Sequence, residues 1–131
     1  MMESFFDVRW LSAGAGAALG EYLGSFDSLM YALLAFIVTD YVTGLLCAIL
    51  ERNLSSAIGF KGICQKVFIL ALVGVANILD VHVVGGGYVL RSAVIFFYIS
   101  NEGISIIENA ARIGLPVPKK IQAVMKQLRN K

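Results

Sequence analysis

Three apolar stretches, residues 29–50, 63–84 and 88–107, are each long enough, or nearly so, to cross a bilayer, and together they fill half of this 131-residue chain. An α-helix rises about 1.5 Å per residue, so about 20 residues cover the roughly 30 Å of hydrocarbon that a spanning segment must cross. Lipid offers the backbone no hydrogen-bond partners, so such a segment is a helix or a strand of a closed barrel. The runs lack the alternation of barrel strands, and residues 29–50 are far too many for one strand. The chain therefore reads as an all-α integral membrane protein with three transmembrane helices. Its composition agrees: hydrophobic residues make up 58% and charged ones only 15%, against about 25% charged in soluble domains. A soluble bundle of this size would be unable to cover that much apolar surface.

Residues 1–10 hold Glu3, Asp7 and Arg9 and no short apolar core ending at a cleavage site, so the start is expected to be mature sequence. Cys47 and Cys64 have neither metal-ligand nor disulfide-framework spacing and read as small apolar residues. The lone histidine, His82, falls in a hairpin between the second and third spans. No nucleophile elbow or zinc-type His pair occurs, and Gly85, Gly86 and Gly87 lack the Lys and Ser or Thr that a phosphate loop needs. No enzyme activity, cofactor or metal is expected.

Lys and Arg collect in cytoplasmic loops. The connector at residues 51–62, extended to Lys66, holds Arg52, Lys61 and Lys66, and the tail holds Arg112, Lys119, Lys120, Lys126, Arg129 and Lys131, which puts nine of eleven cations on one side. The tail is thus expected inside, and the link at residues 80–91, with Arg91 alone, outside. Past Gly114, Pro116 and Pro118 are expected to stop the third helix. A basic amphipathic helix should then restart, with Ile121, Val124, Met125 and Leu128 at helical spacing among Lys119, Lys120, Lys126 and Arg129. It suits an anionic inner leaflet rather than nucleic acid.

The N-terminal portion is a Gly/Ala-rich segment interrupted by Glu21, either a fourth span or a surface helix, with Phe5, Phe6 and Trp10 as interfacial anchors. Within it Ser12, Gly16, Gly20 and Gly24 recur every four residues, a spacing that lets helix backbones approach closely in lipid. The organisation expected is a membrane-associated segment at 1–27, a transmembrane unit at 28–110 and a basic tail at 111–131.

Polar groups inside spans are costly and usually face a bundle interior or water. The first span carries Asp40, with Thr43, Gly44 and Cys47 on the same face, and the second carries Asn77 and Asp80. In the third, Tyr98, Asn101, Glu102, Ser105, Glu108 and Asn109 form a stripe that reaches Arg112, with Val94, Ile95, Phe97, Ile99, Ile104 and Ile106 opposite it as the expected lipid face. Either the stripe packs helices together and an Asp80–Arg91 pair closes the hairpin, or several copies turn it toward enclosed water. Three helices cannot enclose a wide aqueous path, so any pore must be oligomeric.

The run Asp40, Tyr41, Val42, Thr43, Gly44 resembles the D-Y-x-T-G signature of the clostridial-type phage holin and toxin-secretion holin family. Ser55, Ser56, Gly59, Lys61, Gly62 and Lys66 look like its connector, and Asp80 closes the second span as in that family. Asn101, Glu102, Ser105, Glu108 and Asn109 resemble its N-E-x-x-S-x-x-E-N stretch, and Gly114, Pro116 and Pro118 its exit. The resemblance implies a phage-derived, multi-pass protein of the bacterial cytoplasmic membrane that associates with itself. Its lesions would release a murein hydrolase (endolysin) or a toxin as cargo, without necessarily binding it. A small homo-oligomeric ion or solute channel and a non-conducting scaffold subunit are the alternatives.

Overall fold

Two short polar caps decide where the first two spans begin. Asp27 accepts a hydrogen bond from the Met30 amide at 2.9 Å, and Ser55 accepts one from the Ile58 amide at 3.2 Å. Each satisfies a first-turn amide that has no partner within its helix. The computed structural model describes residues 2–129; the side chains of Phe5, Phe6, Met125, Leu128 and Arg129, which the sequence reading singled out, lie outside those described. The helices are α1 (Met2–Leu23), α2 (Ser28–Leu50), α3 (Ser56–Leu79, prolonged by a π-helical turn, Asp80–Val84), α4 (Val89–Arg112) and α5 (Lys119–Arg129). No strand occurs among the described residues, and three helices there are long and apolar enough to cross a membrane: Ser28–Leu50, Ser56–Val84 and Val89–Arg112.

The second span starts at Ser56 rather than 63, because the Ser55 cap opens the helix ahead of its apolar run. The connector shrinks to residues 51–55, and Lys61 joins Lys66, counted with the connector cations, inside α3. The third helix also outlasts its expected end, running to Arg112. What stops it is Gly114 rather than the prolines. Gly114 takes a left-handed φ of 91°, its amide bonds the Ala111 carbonyl, and the Leu115 amide bonds that of Ala110. These contacts satisfy the last carbonyls of the helix, so Pro116 and Pro118 follow a helix already closed.

Helix α4 lies at the centre: it packs most extensively on α2 and next on α3, whereas the backbones of α2 and α3 approach each other least. An apolar cluster of Leu23, Met30, Leu33, Ile37, Ile69, Val73 and Ile95 joins the three. Ile95 is fully buried, and Val94 and Ile99 pack partly buried against the same cluster, so these three are not the lipid face. The reason is that α4 is flanked on two sides, which buries an apolar edge as well as the polar one and leaves Phe96 and Phe97 turned outward.

Helix α1 touches the bundle at its C-terminal end. Tyr22 donates to the Ala71 carbonyl at 2.9 Å, and its ring lies so close over Gly74 that a methyl group there would overlap it. Residues 7–19 are exposed on every side. Gly14 and Gly16 face open space and Gly20 faces the Phe26 ring. Gly24 stands outside the helix at a left-handed φ of 104°, so the four-residue series ends at Gly20 and Gly24 is no part of a helix-packing face. Gly74→Ala is expected to displace the Tyr22 ring and lower stability by about 1–3 kcal/mol, as overpacking does. A thermal scan in detergent against the parent would read this, and an unchanged midpoint would contradict the contact.

Candidate functional site

Asp40, Lys66 and Glu102 each lie ten residues from the end of their helix nearest the tail, at Leu50, Ser56 and Arg112 respectively. At about 1.5 Å per residue that is roughly 15 Å, half of a bilayer's hydrocarbon, so three charged side chains from three helices meet at one level. Lys66 Nζ donates to Asp40 Oδ2 and, at 2.6 Å, to Glu102 Oε2. The Asp40 and Glu102 side chains are 9% and 4% exposed and that of Lys66 16%. A charge at this depth persists where it is paired and hydrogen-bonded.

Asn109 extends the network toward the tail end. Its Nδ2 donates to Thr43 Oγ1 at 2.9 Å and to Asp40 Oδ1 at 3.1 Å, and its carbonyl accepts from the Cys47 thiol at 3.2 Å. Cys47, expected to act as a small apolar residue, is thus also a polar link between α2 and α4. Tyr41 donates to the Gly59 carbonyl at 3.3 Å. A methyl group on Gly62 would stand 3.1 Å from the Tyr41 ring, and one on Gly44 would stand 3.7 Å from Asn109 Nδ2. Small residues at 44, 59 and 62 therefore let α2 meet its neighbours through Tyr41 and Asn109. Arg112 closes this end with a two-pronged contact to Glu51 at 2.8 and 3.0 Å. That hydrogen-bonded guanidinium holds the Glu51 carboxyl below its ordinary range.

The other residues of the third-helix stripe stand differently. Ser105 borders the triad, and Glu108 is half-buried. Tyr98 is half-buried against the Phe97 ring, 5.0 Å between centroids and edge-on. Asn101 is exposed, as is Gln65 across from it on α3, and the two line one cleft beside Glu102. On the tail, Lys119, Lys120 and Lys126 are exposed; the Arg129 side chain is not among those described. Among the described residues no group of three His, Cys, Asp or Glu side chains is placed to hold a metal ion.

At the opposite end the expected Asp80–Arg91 side-chain pair is replaced by two separate contacts. Asp80, fully buried, accepts from the backbone amides of Leu90 at 3.0 Å and Arg91 at 2.8 Å, which caps α4 across the Gly85–Gly87 turn. The Arg91 guanidinium turns away to the α1–α2 connection: Nε donates to the Leu23 carbonyl at 2.6 Å, and the terminal nitrogens donate to the Ser25 carbonyl at 2.8 Å and to Asp27 at 2.9 Å. Its other face lies 5.0 Å from the Tyr88 ring centroid. Gly24 is required here, since a Cβ would stand 2.6 Å from Arg91 Nε. Asn77 donates to the Glu21 and Tyr22 carbonyls, while its own oxygen is buried without a partner.

The hydrogen bond from Arg91 holds the Asp27 carboxyl below its ordinary value of 3.8. A depressed carboxyl stabilises the fold above its unfolded value and loses that contribution as pH falls through the folded one. Solubilised protein should therefore lose thermal stability as pH drops below about 3.8, and Asp27→Asn should flatten that part of the profile. Identical profiles for parent and variant would count against the clamp.

Sequence reasoning missed Lys66, counted among loop cations, and the roles of Asp27 and Tyr22. The Ser55–Ser56 pair ahead of an apolar run was the available signal for Lys66, since a cap there puts the lysine three turns into a helix.

The profile of the bacteriophage holin family matches residues 17–130. An uncharacterised 14.9 kDa protein from the nagH 3′ region of Clostridium perfringens is 39% identical over 124 residues, 95% of this chain and 94% of the relative. An uncharacterised protein of Listeria innocua is 46% identical over 109 residues, 83% of this chain and 77% of its own. A probable holin of Bacillus phage phi105 is 37% identical over 89 residues, 68% and 65% of the two chains. No solved structure matches the chain.

Proposed function

The chain belongs to the bacteriophage holin family, and from that premise we propose that its copies assemble in a bacterial cytoplasmic membrane into lesions that release a murein hydrolase or a toxin. The observation that carries this reading is the polar matter at mid-depth. Beside the ion-paired triad, the side chains of Gln65 and Asn101 stand exposed at the same level, with no side-chain hydrogen bond to the rest of the described chain. Amides at hydrocarbon depth seek partners on another helix. Three spans enclose no path wide enough for a folded protein, so release requires many copies. On this reading residues 1–27, with their exposed helix, and the 28–110 unit supply the contacts between copies. The tail lies inside, its exposed Lys119, Lys120 and Lys126 against the anionic leaflet.

One observation favours a second reading, a non-conducting scaffold: Glu102 and Asn109 are already bonded within the single chain. The two readings part in a host cell. Induced together with a murein hydrolase that lacks an export signal, the protein is expected to cause abrupt lysis after a delay, and neither gene alone should do so. A host that tolerates both proteins at high abundance would support the scaffold and contradict lesion formation.

A further inference from the structure

We propose that each copy, before any assembly, holds a water-filled cleft that enters at the Lys61–Arg112 end of the bundle and reaches the Asp40–Lys66–Glu102 triad. The cleft follows from the packing. The backbones of α2 and α3 stand apart and are bridged by side chains, and the space left between them toward the tail is a cavity of about 400 Å³ bordered by Tyr41, Gly44, Lys61, Gln65, Asn109 and Arg112. A second cavity of about 420 Å³ shares Asp40, Gln65, Lys66 and Ser105 with the first, so both open onto the triad. At about 30 Å³ per molecule, either holds on the order of ten waters, and each cavity has polar side chains among its lining residues.

The lysine requires that water. An ammonium group carries three protons, and Lys66 gives two of them to Asp40 and Glu102. No third side-chain acceptor stands among its described contacts, and its side chain is 16% exposed. In hydrocarbon an unmatched donor on a charged group is costly, whereas a water in a polar cleft satisfies it. Lipid would be the alternative; Leu45, Ile58, Phe68 and Leu72 also border the cavities, but the groups beside the ammonium are Asp40, Gln65, Glu102 and Ser105, which water matches and acyl chains do not.

Toward the hairpin the second cavity runs on past the triad along Ile69, Leu72 and Tyr98 and then closes. Ile37 and Ile69 stand three residues from Asp40 and Lys66 on the same helices, and beyond them Leu33, Val73 and Ile95 are fully buried. This apolar layer lies between the triad and the Arg91 clamp, 11 residues apart along α4 or roughly 16 Å. Water thus reaches mid-membrane from one side while the other half of the bundle stays dry. The inference concerns the single chain and holds whether or not copies go on to form lesions.

The test is thiol reactivity in sealed vesicles that retain an entrapped dye, so that no lesion is open. In a chain carrying Cys47→Ala and Cys64→Ala, single cysteines are placed by Ser105→Cys and Gly44→Cys in the cleft. Val67→Cys sits at the same depth on the lipid face, and Val73→Cys in the apolar layer. A further cysteine, Lys126→Cys, reports which side the tail faces. The probe is a small, membrane-impermeant cationic methanethiosulfonate, and labelling after denaturation verifies that each thiol is present. Because the thiolate is the reacting form and needs water, the two cleft cysteines should react from the tail side at least about tenfold faster than those at 67 and 73. Cleft cysteines no faster than the one at 67, a reactive cysteine at 73, or labelling from the hairpin side would each overturn the proposal.

Discussion

Lys66→Met is expected to be the most damaging single substitution in this chain. It fills nearly the same volume but leaves the Asp40 and Glu102 carboxyl groups facing each other near mid-membrane, each less than a tenth exposed. Removing one partner of a buried ionic network typically costs about 3–5 kcal/mol, because the remaining charges stay buried without compensation. Such a loss approaches the whole stability of a small domain. Little monodisperse protein should be extractable in mild detergent, and lysis should be absent. Combining Lys66→Met with Asp40→Asn and Glu102→Gln removes all three charges while keeping hydrogen-bonding side chains, and folding should return, since neutral amides are far easier to bury than carboxylates. A Lys66→Met single variant as stable as the parent would mean that the triad does not close the bundle.

Arg91→Ala should rank second. The side chain is fully buried and joins α4 to the α1–α2 connection through Leu23, Ser25 and Asp27. Its loss leaves two carbonyls and a carboxylate without their donor, and a cost of about 3 kcal/mol is expected. Arg91→Lys should restore little of it, because one ammonium cannot span two carbonyls and both oxygens of Asp27 as the planar guanidinium does. The readouts are the thermal midpoint and the rate at which protease cuts near Phe26, which should rise as α1 comes loose. Parent-like protection in Arg91→Lys would show that charge alone holds the connection.

The three spans were legible because length and hydropathy act locally and need no knowledge of neighbours. Boundaries were less so. A charged residue reads as a loop residue until its partners are known, which is why the sequence leaves Lys61 in the connector and counts Lys66 with the connector cations although it falls inside the apolar run. The motif residues were found as five separate stretches of sequence. The convergence of three of them, with Tyr41 on Gly59 and Gly62, Lys66 on Asp40 and Glu102, and Asn109 on Asp40, is a property of the three-helix packing that no single helix face encodes. Ile95 was assigned to lipid because it lies opposite the polar stripe, a sound inference for a helix with one neighbour. Helix α4 has two. Arg91 was paired with Asp80 by proximity in sequence, whereas the guanidinium reaches 64 residues back to Asp27, a contact without local signal. The family resemblance began near Asp40 and gave nothing for the N-terminal part of the chain, where Tyr22 and Asp27 make their contacts.

Lesion formation is tested most directly on purified protein reconstituted into vesicles of bacterial phospholipid that hold both a small dye and a folded murein hydrolase. As the density of protein in the membrane rises, both contents are expected to escape together past a threshold, with hydrolase activity recovered outside the vesicles. Retention of the hydrolase at every density, by vesicles in which the protein is fully inserted, would contradict the account. Escape of the dye alone in that case would point to a small channel, and retention of both to a scaffold.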